Sequence, residues 1–290
     1  MKSRKIIVEM NTLSEFKAFA EHLADVARPI AKRYFRSNLT VIDKPDATPV
    51  TLADMEIETR IREEIARVYP LHGILGEEHE SVNLAADWVW VIDPIDGTKA
   101  FTCGKAQFGT LVALTFKGEP VVGVIDQAIT DERWVGVKGG GATLNGVAAR
   151  VNTKVKPLAE TIVLVTTPDQ FVGPGLAAFE RLKVACKGVY YGGDCYNYAL
   201  VASGHVDLVV EMGLKTVDFA ALVNPIIEAG GVATDWRYWL KTDNLLPRTK
   251  PLTARRASFP GCWFILSNAV TSLVCWRPVK AKWGELGRDS

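Results

Sequence analysis

Residues 90–101 read WVIDPIDGTKAF, and within them two carboxylates, Asp93 and Asp96, stand three residues apart with Pro94 and Ile95 between. Paired acids of this kind suit magnesium, which takes hard oxygen ligands in a near-octahedral shell. The fixed φ of Pro94 stiffens the segment, so that both acids can face one point. The Ile95 carbonyl offers a third oxygen. Gly97 and Thr98 follow, and a helix beginning there would turn its free N–H groups toward a phosphate. The competing reading is an Asp-rich turn that only caps a strand and a helix, and for an isolated D-P-x-D-G that reading prevails.

The stretch is not isolated. Gly76-Glu77-Glu78 follows the apolar pair Ile74-Leu75, and carboxylates buried beside such a run are costly unless a cation compensates them. Glu77 also reads as a solvated turn residue. Asp218, in Val217-Asp218-Phe219-Ala220-Ala221, sits at a helix start, where aspartate also serves as an N-cap. Asp54, three residues after Thr51, fits a capping box. His22, His72, His79 and His205 show no ligand spacing, and His79 reads as a surface residue.

These acids need elements to hold them. Phe16, Phe19, Leu23, Val26, Ile30 and Tyr34 recur at helical spacing and predict a helix over 13–36, opened by a Thr12–Glu15 capping box and carrying Pro29 as a kink site. A second helix is expected from Thr51 to Val68, with a loop or hairpin before it. Apolar runs predict strands at 88–92, 109–116, 120–126 and 133–137, the middle two joined at Lys117–Pro120. From about 160 the pattern alternates, with strands at 161–166, 186–191 and 206–211 and helices at 175–182, 195–203 and 218–229, as in a βαβ layer.

The chain of 290 residues carries a net charge of +1, which argues against nucleic acid or membrane as a partner. Its five cysteines are scattered without metal spacing and read as reduced thiols of a cytoplasmic protein. The basic start MKSRKIIVEM has too short an apolar run for a signal peptide, and no stretch reaches membrane-spanning length.

The order G-E-E at 76–78, W-V-I-D-P-I-D-G-T at 90–98 and D-F-A-A at 218–221 resembles the inositol monophosphatase superfamily, magnesium-dependent and lithium-sensitive phosphomonoesterases, from about residue 13 to Arg237. The resemblance implies an αβαβα sandwich: an α+β half over 1–155 with the main metal site, and an α/β half over 156–237 with Asp218 and the substrate contacts. It assigns Glu77, Asp93, Asp96, Asp218 and the Ile95 carbonyl to two or three Mg²⁺ ions, Thr98 and Asp54 to the attacking water, Gly97 and Thr98 to phosphate, and Glu211 to a substrate hydroxyl. Homodimers are common in the superfamily.

Residues 192–222, GGDCYNYALVASGHVDLVVEMGLKTVDFAAL, resemble the histidinol-phosphatase branch of plants and bacteria. Asp194 stands where inositol enzymes usually carry a small uncharged residue, and Val217 where they carry tryptophan. An acid there suits the ammonium and imidazole of histidinol phosphate, although Asp194 also reads as a cap on the helix near Cys195. Inositol-1-monophosphatase and 3′-phosphoadenosine-5′-phosphate phosphatase are the enzymatic alternatives; residues 192–216 offer the latter only His205 and Lys215 as basic partners. A metal-binding regulatory relative is the non-enzymatic one.

Beyond Arg237 the composition changes. Between Asp243 and Glu285 there are seven Lys or Arg and no acid, and four of the eight tryptophans fall after Arg237. A reading-frame change near codon 238 is one account and an unusual genuine extension the other. Both predict that 238–290 lacks the last strand and helix of the second half, packs poorly and is cut early by protease.

Overall fold

A computed structural model describes residues 2–37, 41–43, 49–154, 157–235 and 261–266. Helix α1 (Lys2–Tyr34) leads into the antiparallel ribbon of β1 (Val41–Asp43) and β2 (Pro49–Thr51), then α2 (Leu52–Val68). The strands β3 (Gly73–Gly76) and β4 (Trp88–Asp96) precede a single-turn helix α3 (Thr98–Thr102). The meander β5 (Gly109–Phe116), β6 (Glu119–Gln127), β7 (Glu132–Val137), β8 (Gly141–Leu144) and β9 (Val147–Ala148) follows. The second half contains β10 (Ile162–Val165), α4 (Gly173–Ala185), β11 (Gly188–Tyr191), α5 (Asp194–Ala202), β12 (Leu208–Leu214), α6 (Thr216–Glu228), β13 (Val232–Asp235) and β14 (Gly261–Leu266).

Besides the β1–β2 ribbon, the described residues form two sheets: β3-β4-β5-β6-β7-β8-β9, with only the β3–β4 pair parallel, and β11-β10-β12-β14-β13. On one face of the larger sheet, Phe16, Leu23 and Ala27 of α1 and Ile57, Ile61 and Ile65 of α2 bury Trp90, Ile92 and Val112. Its other face, with Val91, Leu111 and Trp134, packs on α5 and α6, which also touch Val209 and Ala233 of the smaller sheet. Phe179 and Leu182 of α4 close the far side against Val163 and Val165. The layers therefore run αβαβα.

Two glycines set how close the central layer comes. A Cβ on Gly136 would lie 2.2 Å from the Asn224 carbonyl carbon and the Pro225 nitrogen, and one on Gly123 would lie 2.3 Å from the Ala221 oxygen. Helix α6 thus rests its backbone directly on β6 and β7.

Three expectations need correction. Helix α1 begins at Lys2, so Thr12 and Glu15 lie inside it and no capping box opens the helix there; no Gly or Pro interrupts residues 2–28. Strand β4 does not stop at Ile92 but runs through Asp96. The tail does supply a strand: Gly261–Leu266 fills the slot between β12 and β13, antiparallel to both. Its apolar run GCWFIL has the length and composition of a buried strand, and the local sequence gave no sign of the partners waiting for it. The remainder of the tail expectation, over 236–260 and 267–290, lies outside the described residues.

Candidate active site

In a regular strand, residues i and i+3 point to opposite faces, which would separate Asp93 from Asp96. In β4, Asp93 pairs with Leu111 and Asp96 with Gly109, so three steps on β4 face two on β5. The extra residue is a β-bulge, which re-aims the side chain beyond it. Pro94 is tolerated because it lies in the bulge and past Ile92, where pairing with β3 ends. Thr110 Oγ1 donates to the Pro94 carbonyl at 2.8 Å and Thr98 Oγ1 to the Ile95 carbonyl at 3.0 Å, fixing the segment.

Asp93, Asp96 and Asp218 each bring an oxygen to within 4.8 Å of the other two. Asp218 is the third residue of α6, and its Oδ2 accepts the Lys215 N–H at 2.6 Å, so the carboxylate caps its helix and also joins the cluster. Asp54 likewise has a structural task. Its Oδ2 accepts the Thr51 N–H at 2.8 Å and the Thr51 hydroxyl at 2.5 Å in a capping box, while its buried Oδ1 has no hydrogen-bond partner.

Electrostatics show what the cluster lacks. Burial first, then the charges of Glu77, Asp96, Asp218 and Asp54, push the Asp93 carboxyl well above its ordinary range. Burial and the neighbouring Asp194 and Asp218 do the same to Asp96, and burial raises Asp54. Asp93 Oδ1, like Asp54 Oδ1, is buried without a partner. Crowded, desolvated carboxylates with unpaired oxygens are costly unless a cation compensates them. An all-oxygen donor set fits Mg²⁺ or a similarly hard ion. Glu77 lies beside this group: its Oε1 is 3.7 Å from Lys215 Nζ, and its charge acts on both Asp93 and Asp54.

The start of α5 adds a second rim. Gly192, Gly193 and Asp194 have φ of 90°, 118° and 43° in succession, and a left-handed aspartate is a conformation proteins concentrate at functional sites. Gly97 permits its approach, since a Cβ there would lie 3.1 Å from Asp194 Cβ and Cγ. Asp194 is not the cap of α5: Asp96 Oδ2 accepts the Cys195 N–H at 2.5 Å. Burial raises the Asp194 carboxyl to about 6, against the opposing pull of Lys99 and Lys105. Buried Glu211 accepts the Thr166 N–H at 2.7 Å, and burial raises it to about 7.

Some neighbours were not singled out from sequence. The buried Tyr198 hydroxyl has no partner and feels the charges of Glu211, Asp96, Asp218 and Asp194. Tyr198 lies within the stretch 192–222 that resembles the histidinol-phosphatase branch, but no role was assigned to it there. Lys99 and Lys105 are distant in sequence from Asp194, on whose carboxyl their charges act. Glu58, one helical turn after Asp54, is a fully buried acid whose only sequence signal was its Arg62 partner at i+4. His79 faces Thr59, with Nε2 3.1 Å from its hydroxyl.

The five-layer sandwich thus draws the acids of β4 and of the central helix α6 into one cluster. The chain belongs to the inositol monophosphatase family, whose profile matches residues 12–256. It is 46% identical over 228 residues to "Bifunctional phosphatase IMPL2, chloroplastic" of Arabidopsis thaliana, a match covering 77% of this chain and 65% of that one. It is 34% identical over 219 residues to a histidinol-phosphatase of Chlorobaculum parvum, covering 75% and 85%. Among solved structures, an inositol monophosphatase from Zymomonas mobilis superposes with a TM-score of 0.75 at 38% identity, covering 89% of this chain and 94% of that one. Among the described residues, no helix is long and apolar enough to cross a membrane.

Proposed function

We propose that this chain is a Mg²⁺-dependent phosphomonoesterase that hydrolyses histidinol phosphate to histidinol and phosphate. The observation that carries the proposal is the carboxylate cluster of Asp93, Asp96 and Asp218, in which Asp93 Oδ1 is buried without a partner, bordered by two further acids, Asp194 and Glu211.

Asp93, Asp96 and Asp218, with Glu77 and the Ile95 carbonyl, hold the metal. When bound, Mg²⁺ supplies positive charge to the phosphoryl oxygens and lowers the pKa of water. Thr98 and Asp54 orient the attacking water in line with the leaving oxygen, and the backbone at Gly97 and Thr98 receives the phosphate. A loose phosphoryl-transfer transition state asks mainly for such positioning and charge. Asp194 and Glu211 take the substrate's ammonium and hydroxyl. The similarity to a protein named histidinol-phosphatase supports this choice.

A second reading has its own support. Lys99 and Lys105 act on Asp194, and a basic pair at that rim suits a substrate with a second phosphate, such as 3′-phosphoadenosine-5′-phosphate. Phosphate release from histidinol phosphate, inositol 1-phosphate and 3′-phosphoadenosine-5′-phosphate, each with and without Mg²⁺, separates the readings. Preference for either of the latter two overturns the histidinol assignment, and activity independent of divalent cations overturns the metal assignment.

A further inference from the structure

Among the described residues, Glu58 is the most fully enclosed acid outside the cluster: its side chain has no exposed surface. Its carboxylate accepts the Glu78 N–H at 2.7 Å and the His79 N–H at 3.1 Å. Arg62, one turn further along α2, donates Nε to Glu58 Oε1 at 2.7 Å and Nη2 to the His79 carbonyl at 3.1 Å. Three hydrogen bonds therefore tie residues 78 and 79 to one face of α2, and a fourth, between Arg62 and Glu58, braces that face. The chain opposite has been cleared to admit them: a Cβ on Gly76 would lie 2.0 Å from Glu58 Oε1 and 2.8 Å from Arg62 Nη2.

The lock clamps the backbone on both sides of Glu77, from Gly76 to His79. The same helix carries Asp54 at its N-terminal capping box. Asp54 and Glu77 are thus referenced to one rigid element, although they come from different segments. A charged acceptor is needed here because a buried carboxylate receiving several donors makes stronger bonds than a neutral amide. Its own charge is matched by Arg62, so Glu58 adds no net negative charge to the site.

We infer that Glu58 and Arg62 form a positioning lock that holds Glu77 for divalent-cation binding and fixes its placement relative to Asp54. The inference rests on Glu77 being a metal ligand. A role in general stability alone would lower the melting temperature and leave cation affinity unchanged; a positioning role lowers affinity in protein that stays folded.

The test is calorimetric titration of the full-length chain with Mn²⁺, beside urea unfolding without metal. Glu58→Gln is expected to weaken Mn²⁺ binding at least tenfold with its circular dichroism unchanged, and Arg62→Met by a smaller factor. Amide exchange at Glu78 and His79 should accelerate in both. The double variant is expected to lose little beyond Glu58→Gln, because the two side chains act as one unit. If Glu58→Gln fails to fold, Arg62→Met carries the measurement. A folded variant that binds Mn²⁺ as tightly as the parent overturns the lock and leaves the proposed function standing. A parent chain that binds no Mn²⁺ overturns the metal reading and the lock with it.

Discussion

Asp96 and Cys195 are 99 residues apart in the chain and joined by a 2.5 Å hydrogen bond, from the first turn of α5 to the bulged end of β4. The bond ties the central helix α5 to the larger sheet. It satisfies a helix N-terminal donor that no side chain of α5 caps, and a carboxylate at that end is favoured by the helix dipole. Its consequence is chemical, because the same turn delivers Asp194 to the rim of the cluster.

Asp93 should divide activity from stability. Asp93→Asn is expected to abolish Mg²⁺-dependent phosphate release, a loss of about 3 kcal/mol of barrier or more, as for other electrostatic stabilisers. The same change removes a buried charge that burial and four neighbouring acids oppose, so the metal-free protein should gain on the order of 1 kcal/mol at pH 7. Phosphate release and urea midpoints are the two measurements. Retained activity would sink the metal reading.

Asp194 reads substrate charge if the histidinol assignment holds. Asp194→Asn should penalise histidinol phosphate more than an uncharged phosphomonoester, by about 2–5 kcal/mol in kcat/KM, the usual cost of stranding one partner of a buried charge pair. Equal losses on both substrates would reduce Asp194 to a structural residue.

Glu211 makes stability pH-dependent. Its carboxyl is raised from an ordinary 4.5 to about 7. Below pH 4.5 folded and unfolded chains are both protonated there. Between 4.5 and about 7 the unfolded chain releases the proton and the folded chain keeps it, so this residue's contribution falls as pH rises. Glu211→Gln should therefore gain on the parent across that window, by on the order of 3 kcal/mol. Metal-free unfolding at pH 4.5 and 7.5 tests this, and a constant difference between variant and parent would contradict it.

Gly136 holds α6 in place. Gly136→Ala puts a methyl 2.2 Å from backbone atoms of Asn224 and Pro225, which no rotamer change relieves. Stability should fall by about 3 kcal/mol, the upper part of the overpacking range. Because α6 carries Asp218, cation affinity should fall as well. An alanine variant with parental Mn²⁺ affinity would separate the helix seat from the site.

The sequence by itself determined what is local. D-P-I-D-G-T shows its paired carboxylates on its face, helical spacing in 13–36 marks the buried face of α1, and Thr51 with Asp54 announces the cap of α2, since each depends on residues within a turn or two. Only the tertiary structure decided which acids meet. Strand register puts one extra residue between Asp93 and Asp96, and so brings both to one cluster. The bare backbones of Gly123 and Gly136 admit α6, and with it Asp218. Glu58 looked like any helix acid until the loop after β3 folded over it. The apolar run at 261–266 became a strand because β12 and β13 left a gap of hydrogen-bonding groups for it to fill. Long-range convergence depends on sheet register and helix seating, which arise from contacts between segments far apart in the chain and leave no periodic trace within either one.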